Sequence, residues 1–223
     1  MTDHLHRDLA RLKKNVLAMG GLAEEALQLA RNTLSTRDPS HVVQLRGIEV
    51  RIDTLQLSID DEIIKLLALH QPVASDLRFA TAAMKIVNDL ERVGDLATSI
   101  GERLLFILEQ PPLPVPSRLE EMMQKTALML NKSLDAFVAL DSDMARAVIL
   151  DDDMIDSINR EHFELLVAAM KEDPMLIDRA VASLSISRSI ERIADMSTNI
   201  AEDVVFVVEA MDIRHPGLAG RDL

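Results

Sequence analysis

Pairs of acidic residues spaced four apart occur in two similar stretches of the sequence. The first stretch carries Glu91 and Asp95, and the second carries Glu191 and Asp195. On an α-helix, residues four apart lie about 6 Å from each other on one face, where two negative charges repel each other if they are alone. Carboxylate oxygens in this arrangement are suitable ligands for Mg²⁺, Ca²⁺, Mn²⁺ or iron. The spacing therefore predicts metal binding.

The two stretches are copies of one pattern. ERVGDLATSIGERLLFILE at 91–109 returns 100 residues later as ERIADMSTNIAEDVVFVVE at 191–209. At 100° per residue, the acids of each copy share one side of a helix and the apolar residues gather on the other. We therefore expect the acidic side to face away from the core. Its members are Glu91, Asp95, Thr98 and Glu102 in the first copy and Glu191, Asp195, Thr198 and Glu202 in the second.

The helix that precedes each copy carries a similar acidic pair. Glu49 and Asp53 form the first pair, and Asp152 and Asp156 form the second. Two neighbouring helices with such pairs bring four carboxylates together, so we predict a metal site on the surface of each half. Asn199, one turn beyond Asp195, is a candidate for a further ligand. The predicted ligands are Glu49, Asp53, Glu91, Asp95, Asp152, Asp156, Glu191, Asp195 and Asn199.

A solvated acidic surface is the alternative interpretation of these pairs. The chain has 37 acidic residues, and Arg92, Arg188 and Arg192 are near enough in sequence to neutralise some of them. Other chemistries have less support. No cysteine occurs, and no histidine follows a glutamate by three residues, the spacing of ferritin-like di-iron helices. No P-loop, H-E-x-x-H, G-x-G-x-x-G or G-x-S-x-G motif occurs either.

Composition restricts the class of protein further. A net charge of −13 and the lack of Trp and Tyr disfavour binding to nucleic acid. No apolar run approaches the ~20 residues of a membrane-spanning helix. We therefore predict a soluble, cytosolic chain that meets the membrane only through its partners. With only 7 glycines and 5 aromatic residues, all of them Phe, the composition favours helix almost throughout.

Helix-breaking segments divide the chain into six parts. They lie at 35–40, 70–75, 109–117, 139–143 and 171–174, and a last one at 214–220 precedes the end of the sequence. The predicted fold is all-α, with two tandem, pseudo-repeated antiparallel three-helix bundles. Four prolines between 111 and 116 indicate an extended linker. The predicted division is a first bundle at 1–110, a linker at 111–117, a second bundle at 118–213 and a tail at 214–223.

Several residues predict where helices start and where they pack closely. Ser75 with Asp76, and Pro174, are typical of helix starts. Gly20 and Gly21 are expected to allow a neighbouring helix to approach closely.

Six short sequences together resemble the PhoU family, the regulators of high-affinity phosphate uptake in bacteria. They are AMGGLAEEAL, QPVASDLR, DLERVGD, SIERIAD, NIAED and DIRHPG, and their order and spacing cover nearly the whole chain. The resemblance implies two PhoU repeats whose E/D-x-x-x-D pairs hold multinuclear iron or another divalent metal, such as manganese, magnesium or zinc. It assigns that role to Glu91, Asp95, Glu191 and Asp195, together with Glu49, Asp53, Asp152 and Asp156.

The resemblance also implies a role without catalysis. Such a protein is a cytosolic adaptor between the ATPase subunit of the phosphate ABC transporter and a sensor histidine kinase, and it forms a homodimer. It restrains phosphate uptake and keeps the starvation response off when phosphate is plentiful. From the residues, a carboxylate-metal enzyme and a purely structural helical scaffold stay open as alternatives. Since the sequence has no basic nest for an anion, we expect protein contact rather than direct phosphate binding.

Overall fold

Six long α-helices form the structure, a computed structural model that describes residues 2–115 and 117–214. The helices are α1 (Thr2–Thr36), α2 (Ser40–His70), α3 (Ala74–Leu108), α4 (Leu119–Ala139), α5 (Ser142–Glu172) and α6 (Ile177–Glu209), and a 3₁₀ turn at Pro174–Leu176 precedes α6. No β-strand occurs in the two described ranges, so the all-α prediction is confirmed. Within them, no helix combines the length and the apolar character needed to cross a membrane.

The helices end at the predicted breaks, but not all the predicted start signals act. The backbone enters the left-handed region at Gln71, Leu140 and Ala210, just beyond the ends of three helices. At the start of α3, however, no side chain caps the helix, and Ser75 already lies inside it. Capping occurs instead at α5, where the Asp141 carboxylate accepts a hydrogen bond of 2.9 Å from the backbone N–H of Met144.

The helices form two antiparallel three-helix bundles, as predicted. Helices α1, α2 and α3 pack on one another, and α4, α5 and α6 do the same. The bundles also pack together, through α3 against α6 and α1 against α4. Across this junction the rings of Phe79 and Phe137 stack with their centroids 5.4 Å apart. One continuous core therefore runs through both bundles, while the exact boundaries at 1–110 and 118–213 stay a prediction.

Close helix approach depends on particular glycines. A Cβ atom added at Gly20 of α1 would lie 2.9 Å from the Leu134 side chain of α4, so Gly20 lets the two bundles approach each other. Gly21 has open space around it, so the prediction of close packing is wrong for that residue. A Cβ atom at Gly94 of α3 would lie 2.7 Å from Ile52 of α2. A close contact of α2 with α3 therefore lies beside the predicted acidic residues.

Candidate metal centre

Three acidic side chains from α2 and α3 converge in the first bundle. Asp53, Glu91 and Asp95 each place one carboxylate oxygen within 4.8 Å of the other two. The local packing explains why they meet. Ile52 packs against Gly94 at the contact of the two helices, so the residues that follow them, Asp53 and Asp95, emerge at the same edge.

The charges of the first cluster repel one another. Partial burial raises the pKa of Glu91, and the carboxylates of Asp95, Asp53 and Glu49 raise it further. Burial also raises the pKa of Asp95, with Asp53 as the second cause. Glu49 therefore belongs to the electrostatic environment of this cluster, although it is not one of the three side chains whose oxygens lie closest together. The cluster has an excess of negative charge that a cation or a proton would stabilise.

The second bundle repeats this arrangement with its own four acids. Burial raises the pKa of Asp152 to about 6, with Asp195, Asp156 and Glu191 among the further causes. The pKa values of Glu191 and Asp195 are also raised by burial first and then by neighbouring carboxylates, Asp156 among them. The helices thus bring the predicted α5 and α6 residues near one another. Within 2–115 and 117–214, only the first bundle has three acidic oxygens as close as 4.8 Å.

Three cationic or polar side chains moderate the second cluster. The side chain of Asn159 donates a hydrogen bond to Glu191, and Arg188 lowers the pKa of the same carboxyl. Arg192 lowers the pKa of Asp195. These effects are smaller than burial in both cases, so the pKa of each carboxyl stays raised. The neighbouring arginines reduce the negative charge but do not remove it.

One member of the predicted acidic face of α3, Thr98, does not face solvent. Thr98 is 7% exposed and its hydroxyl lies buried, so its placement on the solvent side was wrong. The reason is that α2 packs against that side of α3, which helical periodicity alone does not show. Glu102 is exposed, but it accepts a hydrogen bond of 2.6 Å from Arg46. Asn199 lines a groove between α3 and α6 together with Lys85 and Arg92, and its role as a metal ligand stays a prediction.

The groove between α3 and α6 contains buried charges that the sequence analysis missed. Asp89 is 8% exposed, and burial raises its pKa to about 6. Among the described residues it has no hydrogen bond or ion pair at contact distance. Asp203 is 3% exposed and accepts a hydrogen bond of 2.9 Å from Lys85. The sequence did contain a signal for these two residues. The repeat has Ser189 at the position that corresponds to Asp89 and Arg103 at the position that corresponds to Asp203, so neither acid belongs to the shared pattern.

The donor set of the acidic clusters fits a hard divalent cation. Ca²⁺, Mg²⁺ and Mn²⁺ take carboxylate oxygens, and sites with several waters in the coordination shell are common for Mg²⁺. Both clusters are partly open to solvent. Asp53 and Asp95 are exposed in the first cluster, and Asp156 and Asp195 are exposed in the second. Water can therefore complete the coordination of a bound ion.

The chain matches known proteins over almost its whole length. The family model of the PhoU domain matches it twice, at residues 16–104 and 119–204. A phosphate-specific transport system accessory protein PhoU homologue of Pseudomonas aeruginosa is 34% identical over 98% of this chain and 90% of its own length. The phosphate-specific transport system accessory protein PhoU of Escherichia coli is 30% identical over 100% of this chain and 95% of its own length.

Two solved structures share the fold. The crystal structure of PhoU from Pseudomonas aeruginosa superimposes with a TM-score of 0.88 at 35% identity, covering 92% of this chain and 99% of that one. The phosphate transport system regulatory protein PhoU of Streptococcus pneumoniae gives a TM-score of 0.85 at 26% identity, covering 94% and 99%. Two matched domains, curated relatives and two crystal structures agree, and the chain belongs to the PhoU family.

Proposed function

We propose that this protein is a negative regulator of high-affinity phosphate uptake and of the phosphate-starvation response. Family membership supports a role in phosphate transport, and the observation that carries the proposal is that relatives named as transport accessory proteins match over the full chain. In the proposed mechanism it acts in the cytosol, without catalysis, as an adaptor. Its partners are the ATPase subunit of the phosphate ABC transporter and a sensor histidine kinase.

The acidic clusters supply the second part of the proposal, a metal-dependent surface. Asp53, Glu91 and Asp95, with Glu49 nearby, are the ligands that we propose for the first bundle. A divalent cation such as iron, manganese, magnesium or zinc would neutralise carboxylates that otherwise repel one another. The ion would also bridge α2 and α3 at this edge, because its proposed ligands come from both helices. The bound ion would therefore stabilise one shape of the surface that partners contact.

The corresponding ligands in the second bundle are Asp152, Asp156, Glu191 and Asp195. Their carboxylates influence one another in the same way as those of the first cluster. The Asn159 side chain donates a hydrogen bond to Glu191, whereas among the described residues no side chain donates a corresponding hydrogen bond to Glu91. We therefore expect the two bundles to bind metal with different affinities.

The net charge of the chain suggests what kind of surface its partners present. A chain with net charge −13 attracts basic surfaces at rates that fall as salt rises. We propose that the ATPase subunit and the kinase meet this protein through basic or apolar patches. We also propose that two copies of the chain associate with each other.

A pull-down tests the adaptor proposal. The purified ATPase subunit and kinase are passed over the immobilised full chain with Mn²⁺ or with a chelator. Retention of both proteins that weakens with the chelator supports a metal-dependent adaptor. Equal retention in both conditions supports a scaffold that needs no metal. If neither protein is retained in either condition, the adaptor proposal is wrong.

A variant pair links that result to the first cluster. Asp53→Asn with Asp95→Asn removes two of the three close carboxylates and should reduce the metal-dependent part of retention. Asp135→Asn with Asp178→Asn removes two exposed acids elsewhere and serves as the control for net charge. Equal retention by the two double variants would mean that bulk charge, not the cluster, attracts the partners.

A further inference from the structure

A cavity of about 290 Å³ lies between the linker and the helices of both bundles. Its apolar wall comes from the end of α3 and from the linker, through Leu104, Ile107, Leu108, Leu113 and Val115. The volume is at the lower end of the range for small-molecule pockets, which begins near 300 Å³. This linker cavity therefore has the size and the lining of a site for a small, largely apolar molecule.

Two buried polar residues, His162 of α5 and Ser183 of α6, also line the linker cavity. His162 is 1% exposed, and its Nε2 atom lies 3.0 Å from the Oγ atom of Ser183. The second ring nitrogen, Nδ1, is buried and has no hydrogen-bond partner within the described ranges. A buried polar atom without a partner is rare and costs free energy, so it calls for an explanation.

The first bundle shows that the fold does not require this polar pair. With the acidic pairs of α2 and α5 aligned, Ile59 stands at the position of His162, and in the repeat of α3 and α6, Ala83 corresponds to Ser183. Both Ile59 and Ala83 are fully buried. The same two core positions are therefore apolar in one bundle and polar in the bundle where they line the linker cavity.

The hydrogen bond with Ser183 indicates which proton the His162 ring carries. If the hydroxyl donates to Nε2, the ring proton is on Nδ1, and one N–H donor is left without a partner. If Nε2–H donates instead, the hydroxyl proton and the Nδ1 lone pair are both left over, because Ser183 makes no other side-chain hydrogen bond in the described part of the chain. The first arrangement leaves fewer groups unsatisfied, so we assign an N–H donor to Nδ1.

The surroundings of this donor are positive. Burial, and then the Arg118 guanidinium, hold the pKa of His162 below its usual value, so the ring is neutral near pH 7. Arg118 pairs with Glu121 and Glu161 through Nη2, but its Nε–H is buried without a partner. Arg37 lines the linker cavity and is exposed, and among the residues described here its side chain has no ion pair or hydrogen bond. Unpartnered donors and a free cation favour an anionic acceptor.

We propose that the linker cavity binds a small amphipathic carboxylate, namely a medium-chain aliphatic acid. The carboxylate accepts a hydrogen bond from Nδ1–H of His162, and the aliphatic chain lies along Ile107, Leu108 and the linker residue Leu113. Arg37 attracts the anion at the edge of the cavity. An ion that is charged throughout, such as inorganic phosphate, is excluded because its burial against the apolar wall costs too much free energy.

Binding at this position would connect the two bundles. The cavity has walls from α1 and α3 of the first bundle, from α5 and α6 of the second, and from the linker between them. Arg179 of α6 already holds the linker, since its Nη1 atom donates a hydrogen bond of 2.5 Å to the carbonyl of Pro111. Because Nδ1 is buried, the linker has to shift for the carboxylate to reach it. The site is separate from both acidic clusters and does not depend on the proposed function.

Isothermal titration calorimetry with sodium octanoate and the full chain tests the site. We expect a single site with a Kd of about 10 to 100 µM at pH 7.5. Each methylene removed from the chain of the acid should weaken binding about four-fold, because it buries less apolar surface. Octanamide should bind about five-fold more weakly than octanoate, since a hydrogen bond to a charged acceptor is stronger than one to a neutral acceptor.

Variants locate the binding site. His162→Ile with Ser183→Ala installs the buried pair of the first bundle, so it should keep the wild-type circular dichroism. It should weaken octanoate binding at least about ten-fold through loss of the hydrogen bond to the carboxylate. Arg37→Gln should weaken binding about two- to five-fold. Arg160→Gln is the matched control, because Arg160 is exposed on α5 and lines a different groove, and its Kd should equal that of the wild type.

Nuclear magnetic resonance gives an independent measurement on the His162 ring. Long-range ¹H–¹⁵N spectra of the histidine side chains should show a neutral ring with its proton on Nδ1. The resonance is identified by its loss in His162→Ile with Ser183→Ala. Octanoate should shift the Nδ1 resonance of His162 at the concentrations where calorimetry detects binding.

Four results would overturn the proposal. They are no heat of binding up to about 5 mM octanoate, octanamide that binds as tightly as octanoate, a His162→Ile, Ser183→Ala variant with the wild-type Kd, and a His162 Nδ1 resonance that octanoate does not shift. If that double variant does not fold, Arg37→Gln and the wild-type spectra still decide the question. Failure here is distinct from failure of the regulatory role, because the pull-down with the ATPase subunit and the kinase contains no octanoate.

Discussion

The Nζ atom of Lys85 lies 2.9 Å from a carboxylate oxygen of Asp203, and this ion pair joins α3 of the first bundle to α6 of the second. Asp203 is 3% exposed, and burial raises its pKa even though Lys85 lowers it. The same ammonium group lies 5.5 Å from the centre of the Phe206 ring. Lys85 therefore compensates a charge that packing of the two bundles has buried.

Removal of the Lys85 charge should destabilise the junction between the bundles. We expect Lys85→Ala to lower the free energy of unfolding by about 1 to 3 kcal/mol, because it leaves a buried carboxylate without its partner. Urea unfolding followed by circular dichroism measures the change. Arg146→Ala is the control, since its ion pair with Glu209 is more exposed and should contribute less than about 1 kcal/mol. Equal losses in the two variants would contradict the assignment.

Because the pKa of Asp89 is raised, this residue should make the protein more stable in mild acid than at neutral pH. Its pKa is 3.8 in the unfolded chain and about 6 in the fold, so the folded state binds more protons between these values. Stability from this group is therefore present below about pH 4 and is lost as pH rises through 6. Asp89→Asn should raise the free energy of unfolding above pH 6 by up to about 3 kcal/mol and reduce the pH dependence.

Unfolding in urea at a series of pH values checks this prediction. Asp135→Asn changes the same charge at an exposed site of α4 and should leave the slope between pH 4 and 6 as in the wild type. An Asp89→Asn variant with the wild-type slope would show that Asp89 does not cause the pH dependence.

Divalent cations should stabilise the protein, and acid should remove the effect. A saturating cation at about 100 times its Kd adds about 2.7 kcal/mol, which raises the Tm of a chain of this size by several degrees. Because the pKa of Asp152 is about 6 and those of Glu91 and Asp95 are raised, protons compete with the cation as pH falls towards 5. Differential scanning calorimetry with Mn²⁺ and with a chelator measures both effects.

The same experiment can distinguish the contributions of the two clusters to the rise in Tm. Asp53→Asn with Asp95→Asn should reduce the Mn²⁺-dependent rise in Tm and leave the part due to the second bundle. Asp135→Asn with Asp178→Asn should keep the full rise. If the wild-type Tm does not respond to any divalent cation near pH 7.5, the solvated acidic surface is the correct interpretation of both clusters.

Two adjacent glycines of α1 should respond in opposite ways to substitution. Gly21→Ala should stabilise the protein by about 0.5 to 1 kcal/mol, because Gly21 is exposed with open space around it and Ala favours helix. In Gly20→Ala the new methyl group displaces the Leu134 side chain, which offsets that gain. Thermal unfolding of the two variants compares them directly. A Gly20→Ala variant as stable as Gly21→Ala would show that the α1 to α4 contact adjusts without cost.

Periodicity in the sequence was sufficient to predict the helices and the acidic pairs. The breaks at 70–75 and 139–143 coincide with helix ends, and the repeat at 91–109 and 191–209 places matching acids on α3 and α6. These features depend on local rules, namely where the backbone can continue as a helix and which side chains share a face.

Only the tertiary structure decided which helices meet and which charges become buried. Helical periodicity predicted that Thr98 faces solvent, but α2 covers it. Periodicity did not single out Asp89, which becomes buried where α3 packs against α6. The close approach of Asp53 to Asp95 depends on the contact of Ile52 with Gly94, and these two residues lie far apart in the sequence. Burial and distance between helices arise from packing over long sequence separations, and a pattern within one helix carries no information about its neighbours.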